Sequence, residues 1–484
     1  MKNFSRRNFC KTLTTFSSSM LILPSWAKSS KGKPSERLRI AIIGTGGRGE
    51  VAVETFGGIG LAQFSKANRK VLGNAVFKPL PNCPPCELVA FCDVDWDFAS
   101  ASFRAFPKIP KYKDYRKMFD EMSDKIDAVV VAVPDHMHYP ITARAILEGK
   151  HVFCEKPLSR TFWEADEMTR LAQKAGVITQ MGNQGATSDS WRRLREWLDA
   201  GIIGKITQVH CMTPCPIWPQ GNLAVPNASK IPSSLDYNLW LGVAPDMPYS
   251  PNVVPFNWRG LRNYGVGAIG DMGCHIIEPI FNAINLPLPR KLKATCDKAS
   301  LNDYTWASSN QIDFEFETPY ARDGIMKMRW YDGGRMPDSI KDVDMETLIA
   351  RNFADRRPRN ILLVEGETGA VQVGLYGSAM KIFPRQKMIE LKKAKAFPPP
   401  KIERSAYPSN PHFEFAWACL GKCKTSSPFT SASRLAQVCH LGSLSTLFSG
   451  EELHFDTKKK SFGFNEVDKH LHSQYEYKKE FLPV

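Results

Sequence analysis

Short, unbroken apolar runs separated by helical spacing mark the first part of the chain, and separated strand-like segments with turn-rich connections mark the second. Residues 37–43, 87–92, 127–133 and 151–154 are compact runs dominated by Val, Ile, Leu, Phe and Ala. Runs of this length read as strands buried on both faces, as in a parallel sheet. Residues 143–147 and 162–174 carry helical spacing between them, and the strand pattern resumes at 177–181. Strand alternating with helix over residues 37–182 predicts a doubly wound parallel α/β sheet.

From residue 183 this alternation stops. Residues 205–212, 311–317, 324–331 and 360–365 read as separated strands joined by turn-rich connections, with a helical stretch at 433–448. The pattern predicts a second, α+β domain over 183–484 built on a large, mostly antiparallel open sheet.

A chain of 484 residues accommodates two domains, and 43% hydrophobic with 23% charged residues is ordinary for a globular protein. No apolar run reaches the length of a transmembrane span. The net charge of +15 raises the question of nucleic acid. The lysines are scattered, however, apart from Lys392-Lys393 and Lys458-Lys459-Lys460, and no nucleic-acid motif accompanies them. A generally basic surface is the expectation.

The first residues change the picture more. Ser5-Arg6-Arg7-Asn8-Phe9-Cys10-Lys11 matches the twin-arginine export pattern, a weakly apolar stretch follows at 13–23, and Ser25-Trp26-Ala27 resembles a cleavage site. Residues 1–27 are therefore expected to be a signal peptide, and the mature protein to be periplasmic. Of twelve cysteines, Cys10 falls in that signal. Cys83/Cys86 and Cys211/Cys215 are suitably spaced for a disulfide or a metal, but neither pair joins a His/Cys pair at zinc spacing, so no metal is expected.

The run at 37–43 leads into Gly44-Thr45-Gly46-Gly47-Arg48-Gly49, and a segment able to open a helix follows. Gly-x-Gly-x-x-Gly between strand and helix is the dinucleotide fingerprint of a Rossmann domain. Gly44 permits the tight turn, Gly46 lets the backbone approach a pyrophosphate, and Gly49 lets helix pack on strand. Gly47 and Arg48 complete the turn at the helix N-terminus, which favours an anion. Asp93 ends the run at 87–92, where a carboxylate binds the adenine ribose and repels a 2′-phosphate, so NAD is expected rather than NADP. Asp93 follows Gly49 by 44 residues, against about 20 usually, which implies an insertion at 57–85.

Pro134 and His138, and then Glu155-Lys156-Pro157, follow two further strands at their carboxyl ends, where such sheets bind ligands. Asp271 and His275 are four residues apart and share one face of a predicted helix. A paired carboxylate and imidazole suit alcohol oxidation: the imidazole takes the hydroxyl proton, and the carboxylate orients and supports the imidazolium.

In this order the motifs resemble the Gfo/Idh/MocA oxidoreductases, a family that includes glucose–fructose oxidoreductase and inositol dehydrogenases. The likeness continues through Gly182-Asn183-Gln184 and the 201–206 turn. It implies a catalytic set of Lys156, Asp271 and His275, with Lys156 bonding the reacting hydroxyl and His275 as general base. It places Gly44, Gly46, Gly47, Arg48, Gly49, Asp93, Pro134, His138, Glu155 and Asn183 around the cofactor. Trp258, Arg259 and Tyr264 become candidate sugar contacts, because aromatic faces stack on sugar C–H surfaces and Arg donates to hydroxyls.

The implied activity is an NAD-dependent oxidoreductase acting on a CH–OH group of a sugar, glycoside or cyclitol. Export would require the cofactor to stay bound. A redox-neutral glycoside hydrolase or lyase working through a transient ketosugar is the alternative. The resemblance also implies a homodimer or homotetramer formed through the second sheet.

Overall fold

The computed structural model describes residues 37–58, 82–222, 228–350 and 356–482. The twin-arginine segment and most of the expected insertion at 57–85 lie outside the described residues.

The first sheet contains β1 (Leu38–Ile43), β2 (Cys86–Cys92), β3 (Lys111–Tyr112), β4 (Ala128–Val131), β5 (His151–Cys154) and β6 (Thr179–Met181). All pairings are parallel, in the order β3-β2-β1-β4-β5-β6. Every residue of β4 is fully buried, as a strand covered on both faces requires. Strand order reverses between β1 and β4, which opens a crevice at their carboxyl ends. Local signals set the surrounding helices. Helix Phe162–Ala175 starts on a Thr161/Glu164 capping box and stops at Gly176, whose φ of +66° suits a residue without Cβ.

One face of this sheet is completed from far along the chain. Helix Pro411–Cys419 lies against it, with the His412 ring stacked on Phe153 at 4.4 Å and Phe415 edge-on at 5.8 Å. The break in pattern at residue 183 gives no sign of this return.

The second sheet contains β7 (Ile206–Met212), β8 (Lys291–Cys296), β9 (Asn310–Glu317), β10 (Ile325–Tyr331), β11 (Ile361–Gly366), β12 (Gly369–Gly374), β13 (Lys381–Phe383) and β14 (Glu452–His454). Their order is β13-β12-β11-β7-β10-β9-β8-β14, antiparallel throughout except for the parallel pair β7/β10. Ile312, Phe314 and Phe316 of β9 point inward. Helix Phe429–Thr446 covers that face closely enough that a Cβ on Gly442 would come within 3.0 Å of the Phe314 ring. On the opposite face Lys291 pairs with Glu315 at 2.9 Å and Arg329 pairs with Asp313 across the strands, while Met212, Tyr331, Ile361 and Leu363 are buried there against Ile340, Val343 and Leu348. The chain thus forms the parallel α/β sheet and the mostly antiparallel second sheet expected of it. Among the described residues no helix is long and apolar enough to cross a membrane, and the eleven cysteines are free thiols.

Candidate active site

The glycine turn leaves β1 with Gly44 at φ +82°, where a Cβ would lie 2.3 Å from the Ala132 carbonyl oxygen. A Cβ on Gly49 would come within 1.7 Å of the Gly44 oxygen, so the turn admits no side chain at either position. The amides of Thr45 and Gly46 donate to Asp93 Oδ2 at 2.8 and 3.1 Å, and the Asp95 amide donates to Oδ1 at 3.0 Å. Asp93 therefore lines the cleft while bracing the turn from behind, and burial pushes its carboxyl up to about 6. The Gly47 and Arg48 amides have no partner among the described residues and begin helix Gly49–Phe56. They form a cradle for a phosphate.

Arg48 Nε donates to Glu155 Oε1 at 2.9 Å, tying the turn to the end of β5. Glu155 Oε2 is buried against Gly182 with no partner. Pro134 lines the cleft, but His138 does not. Both His138 ring nitrogens face backbone carbonyls, Pro157 at 2.8 Å and Val133 at 2.9 Å, so this residue ties together the loops after β4 and β5. Asn183 is likewise buried outside the cleft wall, with neither amide atom bonded, while its neighbour Gln184 reaches the cleft.

Lys156, at the end of β5, meets helix Gly267–Ile276 of the second half of the chain. Its Nζ donates to Asp271 Oδ1 at 2.7 Å and to the Asp271 carbonyl at 3.0 Å. An ammonium carries three N–H groups, so one remains for the cleft. Burial alone would lower the Lys156 pKa, but the attraction of Asp271 outweighs it and the net shift is upward. Burial would raise Asp271, but Lys156 and Arg259 hold it down at about 2. Arg259 Nε is 3.3 Å from the same oxygen, with its guanidinium over Trp258 at 4.4 Å and Phe256 at 4.7 Å.

His275 faces the cleft one helical turn on. Its Nδ1 is buried without a partner, and burial, aided by the nearby Lys156 charge, holds its pKa well below the ordinary value. The imidazole is neutral at pH 7 and free to accept a proton. No hydrogen bond joins it to the Asp271 carboxylate, which corrects the expectation drawn from their spacing.

Trp258 and Arg259 line the cleft, but Tyr264 does not. Tyr264 is fully buried in a separate aromatic cluster, 5.0 Å from the rings of His136 and Trp240. Two further residues reach the site. Asp135, directly after Pro134, accepts from the Val266 amide at 3.2 Å, and burial pushes its carboxyl up to about 8. Its place at the carboxyl end of β4 was the available signal. Tyr376, from the turn after β12, sets its ring edge against His275 at 4.8 Å with φ +57°. No motif marks it.

The cleft encloses about 560 Å³ and runs from Asp93 and Tyr115 past the glycine turn to Lys156, His275 and Tyr376. An unbonded amide pair, a glycine cradle and a polar far end fit a dinucleotide. The NAD-binding Rossmann-fold model of the Gfo/Idh/MocA oxidoreductases matches residues 38–183, and the family's C-terminal alpha/beta domain model matches 204–316. Together they cover more than half the chain. This chain belongs to the Gfo/Idh/MocA oxidoreductase family.

Its Rossmann domain is accordingly an NAD-binding domain. Among Gfo/Idh/MocA relatives, the levoglucosan dehydrogenase of Pseudarthrobacter phenanthrenivorans is 23% identical over 58% of this chain and 58% of its own length. The inositol 2-dehydrogenase of Salmonella typhimurium is 30% identical over 26% of this chain and 37% of its own. The chain thus spans less than two thirds of the length of either relative. The aldose–aldose oxidoreductase of Caulobacter crescentus, solved with glycerol, superposes with a TM-score of 0.52 at 15% identity, covering 87% of this chain and 100% of that one. An inositol dehydrogenase homolog from Azotobacter vinelandii, solved with NADH and myo-inositol, gives 0.51 at 15% identity over 87% and 98%. These two likenesses establish a shared fold.

Proposed function

We propose that the protein is an NAD-dependent dehydrogenase acting on a hydroxyl-bearing carbon of a sugar, glycoside or cyclitol. The observation that carries this reading is the convergence of Lys156, Asp271 and His275 on the far end of a cleft that begins at a dinucleotide turn. NAD, when bound, supplies the hydride acceptor. The free N–H of Lys156 bonds the reacting hydroxyl and stabilises negative charge developing on its oxygen. Neutral His275 takes the hydroxyl proton. Asp271 holds Lys156 charged and in place, and Arg259 and Trp258 present a donor and an aromatic face to the sugar ring.

Three further proposals accompany this reading. The family's sugar- and cyclitol-oxidising relatives support the substrate class. The Ser5–Lys11 motif supports twin-arginine export of the folded protein to the periplasm with NAD already bound. The family resemblance supports a homodimer or homotetramer formed through the second sheet, which light scattering on the purified protein would test.

The deciding experiment is mass spectrometry of nucleotide released from the purified protein, followed by absorbance of bound NADH during titration with sugars and cyclitols. Sugar-dependent NADH with a ketosugar product is expected. Cleavage of a glycosidic bond without net NADH would replace the dehydrogenase with the redox-neutral hydrolase or lyase.

A further inference from the structure

Residues 475–482 cross the NAD-binding domain and tie it to the loops of the second half of the chain. The Tyr475 hydroxyl donates to the Asn263 carbonyl at 2.9 Å, and the Arg160 guanidinium lies 4.6 Å over its ring. Tyr477 donates to Glu164, and Lys478 pairs with Asp246 at 2.7 Å. The segment ends against the residues that follow β3. Arg116 Nη1 donates to the Glu480 carbonyl at 3.0 Å and stacks its guanidinium 4.4 Å over Phe481. The Tyr115 hydroxyl donates to the Phe481 carbonyl at 2.9 Å in a buried bond.

Phe481 is 2% exposed, yet it forms part of the cleft wall beside Lys113, Asp114 and Tyr115. In a sheet of this order the dinucleotide lies across the switch point, with one half on each side of it. Lys156 and His275 mark the reacting end on the β5 side, which leaves the β2 and β3 side, where Phe481 sits, for the adenosine. Met137, Ile141 and Leu239 add apolar lining to the cleft. A segment distant in sequence therefore walls the end of the groove through which adenosine leaves, and its anchors lie on both halves of the chain.

We propose that residues 475–482 are a latch that encloses the adenosine half of bound NAD and slows its release, with Phe481, Tyr115 and Arg116 as its fastening. The proposal rests on the NAD-dehydrogenase reading and adds to it the residues that keep the cofactor in place. Enclosure of this kind acts mainly on the dissociation rate, because the nucleotide cannot leave until the segment lifts, in addition to losing its phosphate and nicotinamide contacts.

The test compares full-length wild type, Phe481→Ala and Tyr115→Phe. Each is loaded with NADH, passed through gel filtration and chased with excess NAD while bound NADH fluorescence is followed. Phe481→Ala should release NADH about tenfold or more faster than wild type, and Tyr115→Phe, which removes only one hydroxyl, should show a smaller increase. Tyr115→Phe keeps the test decisive if Phe481→Ala does not fold. Equal release rates for wild type and the folded variants, with NADH bound by all, would overturn the latch. A wild type that binds no NADH at all would overturn the underlying dehydrogenase reading instead.

Discussion

Lys156 Nζ donates to the Asp271 carboxylate at 2.7 Å, and that bond joins the end of a Rossmann strand to a helix of the second half of the chain. The carboxylate lies between two cations, Lys156 and Arg259, and acts on His275 through charge alone, without a hydrogen bond. The site therefore presents a fixed positive charge beside a neutral base.

Replacing Lys156 with Met removes the donor to the reacting hydroxyl while leaving the glycine turn and its amides untouched. NAD should remain bound and kcat should fall by at least about 100-fold, the order associated with losing one donor to a developing oxyanion. Nucleotide content and single-turnover NADH formation, measured on one preparation, check both halves.

His275 must be neutral to accept a proton, and burial together with the Lys156 charge keeps its pKa well below the ordinary value of 6.5. Protonation sets in only as pH falls through that depressed value. The acid limb of kcat/KM for sugar oxidation should accordingly lie below pH 6.5. A limb centred at or above 6.5 would assign the base elsewhere.

Tyr376 occupies left-handed backbone space, which costs a side-chain-bearing residue about 1–2 kcal/mol. Tyr376→Gly and Tyr376→Ala both remove the ring that abuts His275, so both should lower kcat/KM to a similar degree. Only the Gly variant relieves the backbone, and it should be the more stable of the two by about 1 kcal/mol in urea titrations.

Asp135 is protonated in the native state up to about pH 8, against an ordinary value of 3.8, because burial disfavours the charged form. Its contribution is fully present below about pH 4. It is lost as pH rises towards 8, because the unfolded chain releases a proton the folded chain keeps, with a slope of up to about 1.4 kcal/mol per pH unit. Asp135→Asn retains an acceptor for the Val266 amide and cannot ionise. Its stability should fall less than that of wild type between pH 5 and pH 8, as read by urea unfolding at both.

The first domain was legible in the sequence because buried parallel strands are continuous apolar runs and the glycine turn follows one of them directly. Strand end, helical spacing and the family resemblance single out Lys156, Asp271 and His275, which the structure brings to one end of the cleft, but Asp271 hydrogen-bonds Lys156 and Arg259 rather than His275. A spacing of four gives a shared face and nothing more, and a charged ammonium arriving from β5 binds a carboxylate more strongly than a neutral imidazole does. Tyr264 reads as a sugar contact because its aromatic face could stack on a sugar ring. The turn at Gly260 and Leu261 instead sends it into the cluster with His136 and Trp240. His138 and Asp93 have side chains that could meet a ligand, and backbone groups claim them both. Tyr376 was invisible because nothing local connects a turn in the second sheet with a helix a hundred residues earlier.

Helix Pro411–Cys419 covers Phe153 and its neighbours on the first sheet. A ribosome that has completed residues 37–183 has thus produced every strand of the NAD-binding sheet but not the helix that shields one side of it. The nascent domain stays open there until residue 419 emerges, so the sheet matures long after its own last strand has been made. A fragment ending near residue 183 would leave Phe153 exposed on that side, because the helix that shields it is encoded far beyond the last strand of the sheet.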